Sequence, residues 1–220
     1  MEKTQSQLIE EYLRLVLKAN EITNLTRIDT YEEGMLLHVE DSLSGLPEME
    51  EAPAGLYGDM GTGGGFPGVP LAIATGRETL LIDSVKKKTD LVQSMVDQLG
   101  IDSHVHTYHG RLEDLAKERK GGFSVLTARA LSRFSSLMEL ASPLLGLKGR
   151  LICYKAQVSD EELEGVQSLE TKLGMRFVSK RDFVLSDGQT ERCIVVFEKI
   201  GEPEMRLPRK AGFAQKKPLC

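Results

Sequence analysis

The chain has no run of 18 apolar residues, and its first residues are polar and acidic where a secretory leader would be basic and then apolar. Neither a membrane span nor a signal peptide is therefore expected. Its three cysteines, Cys153, Cys193 and Cys220, are odd in number, far apart, and form no CxxC pair. That pattern argues against a disulfide framework and for free thiols in a reducing cytoplasm. Internal repeats and low-complexity stretches are also missing. What remains is an ordinary globular balance, 40% hydrophobic and 28% charged. The 220 residues give room for one α/β domain with a small appendage, or for two small domains.

The net charge of −5 is unevenly spread. Residues 1–54 carry 4 Lys/Arg against 12 Asp/Glu, so the remainder stands at +3. The last sixteen residues hold Arg206, Arg209, Lys210, Lys216 and Lys217 with no acidic side chain. An acidic head and a basic tail admit an anionic partner at the tail end.

Apolar residues recur at helical spacing from Gln7 to Ala19 and again from Tyr31 to Leu46, which predicts a helical N-terminal cap over residues 1–54. Pro47 to Gly55 reads as a linker. Over residues 55–204, short apolar runs (GLYGDM, TLLID, HVHTY, FSVLT, GRLICYK) alternate with helical patterns. The helices are expected at Pro67–Thr75, Lys86–Leu99, Arg111–Lys117, Phe134–Leu145 and Asp160–Leu173. This order implies a doubly wound, Rossmann-like, mostly parallel sheet. Asp187-Gly188 between two late strand patterns predicts that the last two strands form an antiparallel hairpin. Residues 205–220 then form a basic tail, too punctuated by Pro208, Gly212 and Pro218 for a regular helix.

Five glycines fall between Gly61 and Gly68, after Asp59 and before a helical pattern. Each glycine inside regular structure costs about 0.5–1 kcal/mol relative to alanine, so such density points to a ligand. In a sheet of this kind ligands sit at the carboxyl ends of the strands, where the first turn meets the switch in strand order. Gly61, Gly63 and Gly65 would let the backbone approach a ligand closely. No Lys-Ser/Thr follows, so the loop is not a P-loop. GGGFPG fits the dinucleotide pattern G-x-G-x-x-G, whereas DMGTGGG fits the D-x-G-x-G-x-G of S-adenosylmethionine (SAM) sites. The second frame puts Asp59 at a strand tip, where its carboxylate could meet the methionine ammonium. Both ligand classes want an acid at the second strand tip for the ribose hydroxyls, and Asp83 supplies it 22 residues after Gly61.

The stretches NLT (Asn24–Thr26), HVEDSL (His38–Leu43), DMGTGGGFPGVPLAI, LLIDSVKKK, GRLED (Gly110–Asp114), TARAL (Thr127–Leu131) and LPRKAGFAQKKPL occur in this order. With them the chain resembles the RsmG (glucose-inhibited division protein B) family over nearly its whole length. That resemblance implies a class I SAM-dependent methyltransferase fold and methylation of a guanine N7 in small-subunit ribosomal RNA, free or in its assembling particle. It also implies cofactor contacts at Gly61 and Phe66, at Leu112 and Glu113 beside the adenine, and at Arg129. Two departures stand out: Gly64 replaces the usual Ala or Pro, and Tyr154–Gln157 lacks the glycine that usually follows the lysine.

Guanine N7 has a free lone pair, so the reaction calls for orientation more than for a general base. Accordingly no D/N-P-P-Y/F motif for an exocyclic amine is present, and no Pro-Cys nucleophile; Cys153 reads as a core residue. Arg129 is the candidate catalytic residue, able to meet guanine O6, a phosphate or the cofactor. Lys86 and Lys87 oppose a helix dipole, and Lys155 sits at a strand tip. With Arg209, Lys210, Lys216 and Lys217 they are the candidate RNA contacts. His104 and His106 alternate on one strand without a completing carboxylate or cysteine, so no metal site is expected. His38 is expected to pack the head against the sheet. A monomer is expected. The rival readings are an NAD-dependent oxidoreductase and a non-catalytic RNA-binding protein with a vestigial loop.

Overall fold

The first helix, α1 (Gln5–Thr23), starts at a capping box: the Thr4 hydroxyl accepts from the Gln7 amide, and the Gln7 side chain accepts from the Thr4 amide. The computed structural model describes residues 3–219, so Cys220 lies outside the described residues. α1 ends at Asn24 in the left-handed region and buries the stripe Ile9, Tyr12, Leu13 and Val16. A second helical stretch runs through α2 (Tyr31–Gly34), a π-helical segment (Met35–Glu40) and α3 (Asp41–Leu43). π-Turns favour functional positions, and this one lies where His38 and Asp41 are both buried.

The expected linker is instead α4 (Leu46–Glu51). Pro47 falls in its first turn, where a missing N–H costs nothing. Met49 and Ala52 are buried in one cluster with Tyr57 and Leu71. The Arg77 guanidinium donates to the carbonyls of Met49, Ala52 and Pro53 at 3.0, 3.0 and 2.7 Å, satisfying the helix end.

The sheet contains β1 (Tyr57–Met60), β2 (Thr79–Asp83), β3 (Val105–His109), β4 (Phe123–Arg129), β5 (Leu145–Lys155), β6 (Met175–Val184) and β7 (Glu191–Lys199), in spatial order 3-2-1-4-5-7-6. β1 to β5 pair in parallel, and β7 inserts antiparallel between β5 and β6. Asp187 accepts from the amides of Gln189 and Thr190 and closes the predicted hairpin. β1 and β2 are buried along their whole length, as strands covered on both faces must be. The connecting helices are α5 (Gly68–Thr75), α6 (Lys86–Leu99), α7 (Leu112–Glu118), α8 (Phe134–Ala141), α9 (Asp160–Gln167) and α10 (Glu170–Leu173), with α11 (Phe213–Lys216) in the tail. α8 is shorter than expected because Leu145 already starts β5, and the expected helix over Asp160–Leu173 breaks after Gln167.

One face of the sheet shares its core with the head: Tyr12, Leu13 and Val16 pack in a single cluster with Val69, Leu81, Val92 and Val96. Full burial of each such side chain stabilises by roughly 1.5–3 kcal/mol, so the head and the first half of the sheet support one another. The strand order runs outward from β1 to β3 and then returns to β4. The reversal leaves a crevice at the carboxyl ends of β1 and β4.

Candidate cofactor cleft and its rim

β1 ends in a turn whose Gly61, Gly63 and Gly65 have φ of +73°, +58° and +85°, a region glycine alone enters without strain. Their surroundings differ. A side chain on Gly65 would collide with the Tyr12 hydroxyl, which donates to the Gly64 carbonyl at 2.9 Å, so the head clamps this part of the loop. A Cβ on Gly63 would meet nothing closer than the Gly61 carbonyl at 3.9 Å. Gly63 therefore faces open space. The Asp83 carboxylate at the end of β2 accepts from the Gly63 amide at 3.0 Å and from the Val85 amide at 2.9 Å. Each carboxylate oxygen keeps a further acceptor site toward a ligand.

These groups enclose a cleft of about 320 Å³, lined among others by Gly61, Gly63, Asp83, Leu112, Glu113 and Arg129. Its volume is in the range of small-molecule sites. Backbone cradle, acid and apolar walls together suit a nucleoside-bearing ligand. A larger hollow of about 840 Å³ opens beside Gly121, Leu145 and Lys199, but neither the glycine turn nor the Asp83 carboxylate borders it.

Two residues expected at the cofactor sit away from this cleft. Asp59 does not reach the cleft: it is 0% exposed, and its carboxylate accepts from the Gly68 amide at 3.1 Å and the Thr127 hydroxyl at 2.7 Å. Burial raises its pKa above the ordinary carboxylate value. Its place is under the loop, tying β1 to the start of α5 and to β4. Phe66 is likewise turned inward, its ring stacked on His38 at 4.4 Å and 6°. Neither residue lines the cleft.

Arg129 does line it, at the end of β4. Its Nη1 donates to Asp41 at 2.9 Å and to the Leu37 carbonyl at 3.0 Å, and Nη2 lies 3.3 Å from His38 Nδ1. Asp41 also accepts from Arg192 Nε at 3.0 Å. An arginine donates only, so His38 Nδ1 must accept here, which leaves Nε2–H to donate to the Thr26 hydroxyl at 2.9 Å. The His38 pKa is pushed down to about 4, by burial first and the Arg129 charge second. His38 thus joins head to sheet as expected, and the head fixes the direction of Arg129.

The expected RNA contacts separate into committed and free groups. Lys155 donates to the Ser132 carbonyl at 3.0 Å, pairs with Glu162 at 3.5 Å and lies over the Phe134 ring, so its charge is spent inside the protein. Arg209 makes a two-pronged pair with buried Glu139 and donates to the Lys217 carbonyl. It fastens the tail. Lys86 pairs with Asp90 on the exposed face of α6. Lys87, Lys210, Lys216 and Lys217 are exposed and, among the described residues, take part in no ion pair. Lys88, Arg111 and, from the tail, Gln215 also line the cleft, each within a stretch that the sequence singles out: LLIDSVKKK, GRLED and LPRKAGFAQKKPL.

A seven-stranded sheet of this order, with a glycine turn after β1 and an acid ending β2, has the class I methyltransferase architecture. Solved structures agree at the level of the fold. An O-methyltransferase from Bacillus cereus in complex with SAH aligns with TM-score 0.58 and 16% identity over 86% of this chain and 90% of its own. The [4+2]-cyclase SpnF aligns with TM-score 0.59 and 11% identity over 90% and 97%. The second shows that the fold alone does not define the reaction. The sequence is more specific. The family model described as GidB, rRNA small subunit methyltransferase G, matches residues 5–189. Ribosomal RNA small subunit methyltransferase G of Streptococcus equi subsp. zooepidemicus (strain H70) is 36% identical over 98% of this chain and 92% of its own length. The protein of that name from Streptococcus pyogenes serotype M5 (strain Manfredo) is 35% identical over the same shares. The chain belongs to the rRNA small subunit methyltransferase G family.

Proposed function

We propose that the protein transfers a methyl group from SAM to N7 of a guanine in small-subunit ribosomal RNA, acting as a cytoplasmic monomer. The observation that carries this reading is the cleft itself: an open glycine cradle after β1, bonded to Asp83 at the end of β2 and bordering the β1–β4 crevice, in a chain of this family. Gly61 and Gly63 admit the cofactor against the backbone. Asp83 accepts from the ribose hydroxyls, and Leu112 and Glu113 flank the adenine. Bound there, the cofactor supplies an activated methyl on sulfonium.

Guanine N7 offers its lone pair without losing a proton, so the protein has only to hold two partners in line and exclude water. The site's chemistry fits. Asp59 is committed beneath the loop, and the His38 imidazole is neutral and already paired at both nitrogens. Arg129 lines the cleft while Leu37, Asp41 and His38 hold its guanidinium, and its remaining N–H groups orient the guanine or the cofactor carboxylate. Lys87, Lys88, Arg111 and the tail lysines form a rim for phosphates. Transfer of labelled methyl from SAM to deproteinised small-subunit RNA and to the intact particle tests the reading. The expected product is 7-methylguanine at one position. A methyl on another base or atom, or none on either substrate, overturns it.

A further inference from the structure

The tail is not a loose basic arm. Three contacts fasten it over the cleft: Arg209 to buried Glu139, the Gly212 amide to Glu113 Oε1 at 2.6 Å, and the Ser136 hydroxyl to the Ala214 carbonyl at 2.6 Å. Ala214 is buried, and the next residue, Gln215, lines the cleft together with Leu112, Glu113 and Leu140. Among the described residues the Gln215 side-chain amide has no hydrogen-bond partner, although the segment bearing it is anchored on both sides.

With the ribose on Asp83, the base extends past β2 toward Leu112 and Glu113. Glu113 is an acceptor only, and one of its oxygens already serves the Gly212 amide. On its N6/N7 edge adenine presents an amino donor beside a ring-nitrogen acceptor, a pair that a carboxylate cannot match on both counts and that hypoxanthine, with two acceptors there, does not offer. A glutamine amide matches it with one acceptor and one donor, as in bidentate adenine recognition. We infer that Gln215 reads the adenine edge of the cofactor, and that the fastened tail exists in part to present it. The inference rests on the cleft being the SAM site.

The test measures calorimetric Kd values for S-adenosylhomocysteine and for its inosine analogue, in which a carbonyl replaces the amino group. Wild type, Gln215→Ala and Gln215→Glu are compared. Gln215 is exposed, so the melting temperature of the unliganded variants should match wild type. Wild type should prefer the adenosine compound. In Gln215→Ala that preference should narrow by about ten-fold or more, through loss of adenosine-compound affinity, while the inosine compound changes little. Gln215→Glu, keeping an acceptor but no donor, should fall between. Failure of wild type to bind S-adenosylhomocysteine would overturn the cleft assignment itself. Normal wild-type binding with an unchanged ratio in Gln215→Ala would overturn the role of Gln215. So would an equal loss for both compounds, since that would reflect shape and not base reading.

Discussion

Asp41 is the joint between head and crevice, and replacing it with asparagine tests whether that joint is real. The carboxylate is 4% exposed and receives two charge-assisted bonds, from Arg129 at 2.9 Å and Arg192 at 3.0 Å. Side-chain exposure of the two arginines is only 16% and 21%. Hydrogen bonds to charged groups are each worth about 1.5–3 kcal/mol, and stripping a buried pair of one partner costs about 3–5 kcal/mol. Both guanidiniums keep one carbonyl, Leu37 for Arg129 and Glu191 for Arg192, and the amide oxygen of asparagine still accepts one bond. A net cost of about 2–4 kcal/mol follows. In a chain of this size that lowers Tm by roughly 4–16 °C. Urea and thermal unfolding of Asp41→Asn without cofactor give the number. Arg129→Ala should lose a similar amount, and the double variant should lose less than the sum, because the two share one interaction. Full additivity, or a loss under about 1 kcal/mol for Asp41→Asn, refutes the argument that this pair holds the head to the sheet.

Asp83→Asn should weaken SAM binding by about 10–100-fold, since ribose then meets a neutral acceptor; equilibrium binding that stays at the wild-type level would place the ribose elsewhere. Asp83→Ala should also lower the stability of the unliganded protein, because the Gly63 and Val85 amides are left without their acceptor. For His38 the sign follows from a folded pKa of about 4 against an ordinary 6.5. Above that ordinary value both states are neutral, and below it only the unfolded chain takes the proton. Stability should therefore fall with pH through this window, by about 2 kcal/mol at about pH 5, and urea titrations of wild type against His38→Gln should differ by that slope. Replacing Lys210, Lys216 and Lys217 with alanine while keeping Arg209 should spare SAM affinity and weaken RNA binding. The slope of log K against log salt should flatten by about 0.7–0.9 for each phosphate that a lysine no longer neutralises, and parallel lines of equal height would remove the tail lysines from the interface.

The sheet was legible because its signals are local: alternating apolar runs, the Asp187-Gly188 turn, the glycine cluster and an acid one strand further on. α4 was not, because Pro47 reads as a breaker in sequence yet is favoured in a first helical turn, and the cap on the helix end comes from Arg77, 25 residues beyond Ala52. The motif at Asp59 identifies the residue but not the direction of its side chain. That direction depends on Thr127 and Gly68, which meet it only in the folded sheet. The tail misled for a related reason. Five basic residues suggest an anionic partner, and nothing nearby in sequence reveals that Glu139, 70 positions earlier, already holds one of them. Gln215 lies within LPRKAGFAQKKPL, but that stretch reads as a basic tail, and only the path of the chain brings the glutamine to the cleft.

That path also sets an order in time. A ribosome makes α1 before the sheet and Gln215 after it, so the cleft stays short of a wall until the tail has been synthesised. A nascent chain stopped after β7 would already contain every strand, the glycine turn, Asp83 and the Asp41–Arg129 joint. It would lack the guanidinium that neutralises buried Glu139 and the amide that caps Glu113. Such a product should be folded over most of its length and poor at retaining its cofactor. On the role proposed for Gln215, synthesis of the segment from Arg209 to Lys217 separates a folded chain from a competent one.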